Sequence, residues 1–141
     1  MHFDIAIGSV LGASEYVAEA VQEYLVKQNH LVECHFEPDY DQLSNDAILI
    51  VCTSTHGAGD LPDNIQAFAN QLKANDLSHK KSIVIGLGDS SYDTYCQGAI
   101  QIEKILLEAG SNLLFQPLHV DVLHHPIPED EVIKWLSKQE F

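Results

Sequence analysis

Apolar positions along this chain alternate between two rhythms. Phe3 to Gly8 is a nearly continuous apolar run, the pattern of a strand covered on both faces. Val17, Ala20, Val21, Tyr24 and Leu25 then recur at i, i+3, i+4, i+7 and i+8, the spacing of one helix face. A short strand is expected near Leu31 to Phe36, and the apolar, β-branched run Ala47 to Thr53 predicts a central strand. Pro62 suits the first turn of a helix that carries Ile65, Phe68, Ala69 and Leu72 on one side, and Ser82 to Gly88 is the next buried strand. Ile100, Ile102, Ile105, Leu106 and Ala109 line a further helix ended by Gly110. Leu113 to Val122 contains the fifth strand, and Pro128 begins a last helix through Val132, Trp135 and Leu136.

Parallel strands need long return connections, which helices supply, so five strands alternating with helices predict an α/β fold. The expected architecture is a doubly wound five-stranded parallel sheet with helices on both faces, formed by residues 1–141 as a single domain. In such sheets ligands bind beyond the strand carboxyl ends, where the winding reverses. The loops after strands one, three and four should therefore converge, and these are the three loops of unusual composition.

With 141 residues, 45% of them hydrophobic, the chain can bury a core without disulfides or metals. The N-terminus has no basic region followed by a signal-like apolar run, and Ala47 to Cys52 is far too short to span a bilayer, so a soluble cytoplasmic protein is expected. Cys34, Cys52 and Cys96 are odd in number and share no metal-ligand spacing, as expected of reduced thiols. Seven Lys, no Arg and a formal net charge of −14 argue against nucleic acid and anionic membrane as partners and favour a basic protein. Glu15, Glu19 and Glu23 repeat every four residues along the first helix, as either a solvated face or part of a docking surface.

The first loop, Gly8-Ser9-Val10-Leu11-Gly12-Ala13-Ser14, leads from a strand directly into a helix, where unpaired N–H groups and the positive end of the helix dipole favour a phosphate. Neither Lys nor Arg precedes Lys27, so backbone N–H groups and the hydroxyls of Ser9 and Ser14 would have to hold it. The loop has neither the Gly-Lys-Ser/Thr of a P-loop nor G-x-G-x-x-G, which disfavours nucleoside triphosphates and NAD. After strand three comes Thr53-Ser54-Thr55-His56-Gly57-Ala58-Gly59-Asp60-Leu61-Pro62-Asp63-Asn64. After strand four comes Gly86-Leu87-Gly88-Asp89-Ser90-Ser91-Tyr92-Asp93-Thr94-Tyr95-Cys96. His124 and His125 adjoin Pro126 without a Cys or carboxylate ligand set, and no metal site is expected.

In order and spacing these three loops resemble the flavin mononucleotide (FMN) loops of flavodoxins over essentially the whole chain. Thr-His-Gly-Ala-Gly-Asp and Tyr-Asp-x-x-Cys resemble the MioC-type short-chain flavodoxins in particular, and the loops are also similar to the FMN domains of diflavin reductases. The resemblance implies strand order 2-1-3-4-5 and FMN as cofactor. By position it places Ser9, Val10, Leu11, Gly12, Ala13 and Ser14 around the FMN phosphate, with Ser54 and Thr55 closing the cradle. Tyr92 would stack on the isoalloxazine ring, and His56 stands where diflavin-type domains often carry a stacking Tyr. The Gly57-Ala58 peptide would turn its carbonyl toward N5 of the reduced flavin, while Gly59, Asp60, Gly88, Asp89, Tyr95, Cys96 and Asp121 complete the cofactor site. Many flavodoxins show Thr-x-Thr-Gly-x-Thr at the phosphate, whereas Leu11 occupies the middle hydroxyl position here, so fewer side-chain bonds to the phosphate are expected.

Asp60, Asp63, Asp89, Asp93 and Asp121 lie in or beside these loops and no Lys does, which predicts a negative mouth, a low potential and a basic redox partner. The leading functional expectation is an FMN-binding electron carrier between a flavoprotein reductase and an acceptor enzyme. The resemblance suggests biotin synthesis as the pathway. The alternatives are an FMN-dependent reductase of a small substrate and a cofactor-free interaction module. A signalling receiver of the same class is disfavoured, because Gly8, Thr53 and Asp121-Val122-Leu123 do not supply its acidic cluster, phospho-acceptor Asp and Lys.

Overall fold

A computed structural model of the chain describes residues 1–10 and 12–141; Leu11 and its expected phosphate contact lie outside the described residues. The elements follow in the order β1 (His2–Gly8), α1 (Ala13–Lys27), β2 (Leu31–His35), a 3-10 turn (Tyr40–Gln42), β3 (Ile48–Thr53), α2 (Asp63–Lys73), β4 (Lys81–Gly88), α3 (Gln97–Glu108), β5 (Asn112–Leu113), β6 (Leu118–Asp121) and α4 (Pro128–Leu136). All pairings between these strands are parallel, in the order β2-β1-β3-β4-β5, with β6 also on β4. The central strands are mostly apolar because each side of the sheet is covered. Phe3, Ile5 and Ile7 pack with Val17, Val21 and Leu25 of α1 and with Val132 and Leu136 of α4. Ala6, Leu49 and Val51 face Ile65, Phe68 and Leu72 of α2 and Ile102 and Leu106 of α3.

The fifth strand is broken. Ser82 pairs with Leu113 and Ile85 with Leu118, so residues 114–117 stand opposite residues 83–84. Pro117 has no N–H to give a ladder, and the excess chain turns Leu114 and Phe115 into the core beneath α4, where Phe115 meets Trp135 edge-on at 5.9 Å. Ile100 departs from its expected place on the buried face of α3 and is 38% exposed. The buried stripe is Gly98, Ala99, Ile102, Ile105 and Leu106, and at 100° per residue Ile100 points away from its centre. Among the described residues no helix is long and apolar enough to cross a membrane.

Candidate functional site

The loops after β1, β3 and β4 meet at the carboxyl end of the sheet. They approach closely because glycines leave no side chain between them. A Cβ on Gly8 would lie 2.3 Å from Thr53 Oγ1, one on Gly98 2.7 Å from the Ser54 carbonyl, and one on Gly88 2.7 Å from the Cys96 amide. Between the loops opens a cleft of about 410 Å³, a size suited to a small organic ligand. Val10 and Ala13 line it from the first loop, Ser54, Thr55, His56 and Gly57 from the second, and Gly88, Asp89, Tyr92, Tyr95 and Cys96 from the third. Leu87, Thr94 and Val122, to which the sequence assigned no role, complete the wall.

At one end of the cleft, Gly12 takes φ 92° as the N-cap of α1, a left-handed conformation that suits glycine. Its N–H donates to Ser9 Oγ at 2.9 Å, so Ser9 closes the loop on itself while its own hydroxyl proton remains free to donate. Ser14, in the first turn of α1, is fully buried, and its Oγ finds no hydrogen-bond partner among the described residues. Asn64 holds the loop from behind: its Nδ2 donates to the Ile7 carbonyl at 2.6 Å and the Phe36 carbonyl at 2.9 Å, and its Oδ1 accepts the Ser9 N–H at 3.0 Å. No pattern in the sequence marks Asn64, because its three partners come from two distant segments.

Ser54 Oγ donates to the Gly8 carbonyl at 3.4 Å, whereas Thr55 Oγ1 accepts the Gly98 N–H at 2.9 Å and fastens the second loop to the start of α3. His56 and Asp60 then pair across a tight hairpin, with His56 N–H donating to the Asp60 carbonyl at 2.7 Å and Asp60 N–H to the His56 carbonyl at 2.9 Å. The tip needs left-handed backbone at Gly57 (φ 53°) and Gly59 (φ 106°). Gly57 and Ala58 project into solvent, while Gly59 is buried against Gln97 and Thr94, outside the cleft lining. The peptide expected to answer the flavin thus stands at an exposed hairpin tip beside the cleft, with nothing within 4 Å of a Cβ placed on Gly57.

In the third loop Asp89 accepts from both the N–H and the hydroxyl of Ser91, at 2.9 and 2.6 Å, fixing the turn that carries Tyr92. Tyr92 stands 66% exposed at the mouth. Tyr95 and Cys96 close the floor; burial pushes the Tyr95 hydroxyl up to about 12 and the Cys96 thiol up to about 11, so both stay protonated at neutral pH. Asp121 lies behind the wall. Its carboxylate accepts from the Ser90 hydroxyl and N–H and from the Leu123 N–H, which holds its pKa below the usual carboxylate value. Ser9, Gly12, Ser14, Ala58, Gly59, Asp60 and Asp121 therefore shape or flank the cleft without lining it.

These features suit a phosphorylated aromatic ligand. An orphaned buried hydroxyl and a helix start stand at one end, and apolar walls with a solvent-exposed phenol at the other.

A flavodoxin family profile matches residues 5–135. "Protein MioC homolog" of Pasteurella multocida is 38% identical, over 95% of this chain and 92% of that protein. "Protein MioC" of Escherichia coli O157:H7 is 39% identical, over 92% and 90% respectively. A cysteine-to-serine mutant of flavodoxin from Pseudomonas aeruginosa superposes with a TM-score of 0.90 at 31% identity, covering 98% of this chain and 95% of that one. The chain belongs to the flavodoxin family. Its cofactor is FMN, and its activity is electron transfer.

Proposed function

We propose that this flavodoxin accepts electrons from a flavoprotein reductase with a basic docking surface and delivers them to an acceptor enzyme, one of biotin synthesis being the candidate that its MioC-like loops suggest. The observation that carries this reading is the distribution of charge along the sheet axis. Lys27 and Lys73 fall in the last turns of α1 and α2, Lys104 in the latter half of α3, Lys134 and Lys138 at the end of α4, and Lys80 and Lys81 at the start of β4. Helices returning over a parallel sheet run opposite to its strands. All seven lysines therefore lie in the half of the fold away from the cleft. Toward the mouth stand Glu15 in the first turn of α1, Asp60, Asp63 and Asp93, all exposed, with Glu19 one turn beyond Glu15.

When bound, FMN supplies reversible one- and two-electron chemistry. The chain's own residues position and gate it. Ser14 and the first amides of α1 would hold the phosphate, Tyr92 and His56 would border the ring, and the Gly57-Ala58 carbonyl would accept a hydrogen bond from a protonated ring nitrogen. The carboxylates around the mouth oppose further negative charge in the cleft, which lowers the potential, and they steer a cationic partner to the exposed edge. A cytoplasmic location belongs to the same reading, since buried, protonated and unpaired Cys52 and Cys96 suit a reducing compartment.

Stopped-flow reduction of the FMN-loaded protein by a basic flavoprotein reductase, followed across ionic strength, tests the proposal. The bimolecular rate should fall steeply as salt rises. A rate indifferent to salt, or rapid oxidation of reduced nicotinamide by this protein without the reductase, would overturn it.

A further inference from the structure

Outside the lining of the FMN cleft, β1 and β2 bring three potential ligands to one face of the sheet. Asp4 pairs in register with Glu33, and His35 follows Glu33 on the same face, opposite Ala6. Two carboxylates set directly across neighbouring strands repel each other, an arrangement that costs stability unless a cation compensates. Asp4 is 1% exposed, and the His35 side chain only 9%. Lys80 is near, but its ammonium donates to the Ser44 and Ala47 carbonyls, at 2.7 and 3.0 Å, rather than to either carboxylate.

We propose that Asp4, Glu33 and His35 form a binding site for a divalent first-row transition metal ion of the zinc class, independent of the flavin. One donor atom from each lies within 4.8 Å of the other two. His35 Nε2 and Asp4 Oδ1 are hydrogen-bonded at 2.8 Å. Metal–ligand bonds of about 2.0–2.1 Å require donors slightly farther apart than that, so the ion replaces this hydrogen bond and the imidazole shifts by a few tenths of an ångström. Asp4 Oδ2 accepts the Ser44 N–H at 2.9 Å, a bond that orients the carboxylate and leaves Oδ1 for the ion. Glu33, on the exposed edge strand, closes over it, and water fills the open positions. One imidazole with two carboxylates suits Zn²⁺ or Co²⁺ better than Ca²⁺ or Mg²⁺, which take oxygen ligands. Binding through Nε2 needs the tautomer that carries its proton on Nδ1.

The test is titration of untagged, FMN-loaded protein with Zn²⁺ by calorimetry. Co²⁺ serves as a spectroscopic probe, read to the red of the flavin bands. One equivalent should bind. Glu33→Gln, which alters only an exposed side chain, and His35→Gln should each weaken binding at least about tenfold, with the flavin spectrum unchanged as the control for folding. His30→Gln, beside the terminal amine, and His124→Gln should leave the affinity intact. Absence of saturable binding to the unaltered protein, or affinity undiminished in both Glu33→Gln and His35→Gln, would overturn the assignment.

Discussion

The two ends of this sheet solve opposite problems. At the amino end polar groups that enter the interior are satisfied by the chain itself: Asp4 by His35 and the Ser44 amide, Lys80 by two carbonyls, and Ser82 by Ser111 at 2.6 Å, which in turn donates to the Lys80 carbonyl. At the carboxyl end groups are left over. Ser14 Oγ is buried with no hydrogen-bond partner among the described residues, and Tyr92 offers its ring to solvent. Local incompleteness of this kind marks where a ligand is to supply the missing partners. Stability and affinity should therefore separate along the strand axis.

The largest effect is expected at the amino end. Asp4→Ala strands both the His35 ring and the Ser44 amide and should cost on the order of 3 kcal/mol of folding free energy in urea titrations. FMN affinity of the protein that remains folded should be unchanged, and a parallel loss of affinity would show that the two ends are coupled.

At the carboxyl end the order reverses. Tyr92→Ala should weaken FMN by about 1–3 kcal/mol and restore flavin fluorescence, while apoprotein stability stays put because that side chain is 66% exposed. Ser14→Ala should move the two quantities in opposite directions. FMN loses about 1.5–3 kcal/mol with riboflavin little affected, whereas the apoprotein, relieved of an orphaned hydroxyl, gains roughly 1 kcal/mol. A destabilised Ser14→Ala apoprotein would mean that the hydroxyl has a partner in the folded chain and is not waiting for a phosphate.

A smaller effect tests the charged mouth. Glu23 forms a 3.0 Å ion pair with Lys27 and lies about 12 Å farther along α1 than Glu15, so Glu15→Gln with Glu19→Gln should lower the low-salt reduction rate, and adding Glu23→Gln should change it little. Equal contributions from all three would extend the docking surface over the whole helix. The smallest effect concerns acid. The Asp121 carboxyl is held below its ordinary value by hydrogen bonds from Ser90 and Leu123, so its contribution is present above the unfolded value, near pH 4, and is lost as pH falls through the lower folded value. Asp121→Asn should flatten acid unfolding in that window and leave stability at neutral pH nearly additive with changes at Asp4. Superimposable acid transitions would show that these bonds do not persist in solution.

Much of this was legible in the sequence. Continuous apolar runs at Phe3 to Gly8 and Ala47 to Thr53 require cover on both faces, and helical spacing between them supplies it. The glycine- and hydroxyl-rich loops then fall at the strand carboxyl ends by chain order alone. The broken fifth strand was not legible, because Leu113 to Val122 carries enough apolar residues for one strand, and only the register against β4 shows the excess at residues 114–117. Ile100 was misplaced for a related reason: an apolar residue at a helix start fits more than one phase, and the close approach of Gly98 and Ala99 to β3 and β4 decides which face turns inward. The sequence by itself determined the order of elements, the buried strands and the chemistry of each loop, since these depend on residues near one another along the chain. Tertiary structure alone decided that Asn64 clamps the first loop, that Thr55 spends its hydroxyl as an acceptor on α3, that Ser14 has no partner among the described residues, and that Asp4 faces Glu33 and His35. Each of those is a contact between segments tens of residues apart, and local spacing carries no record of which distant donor meets which acceptor.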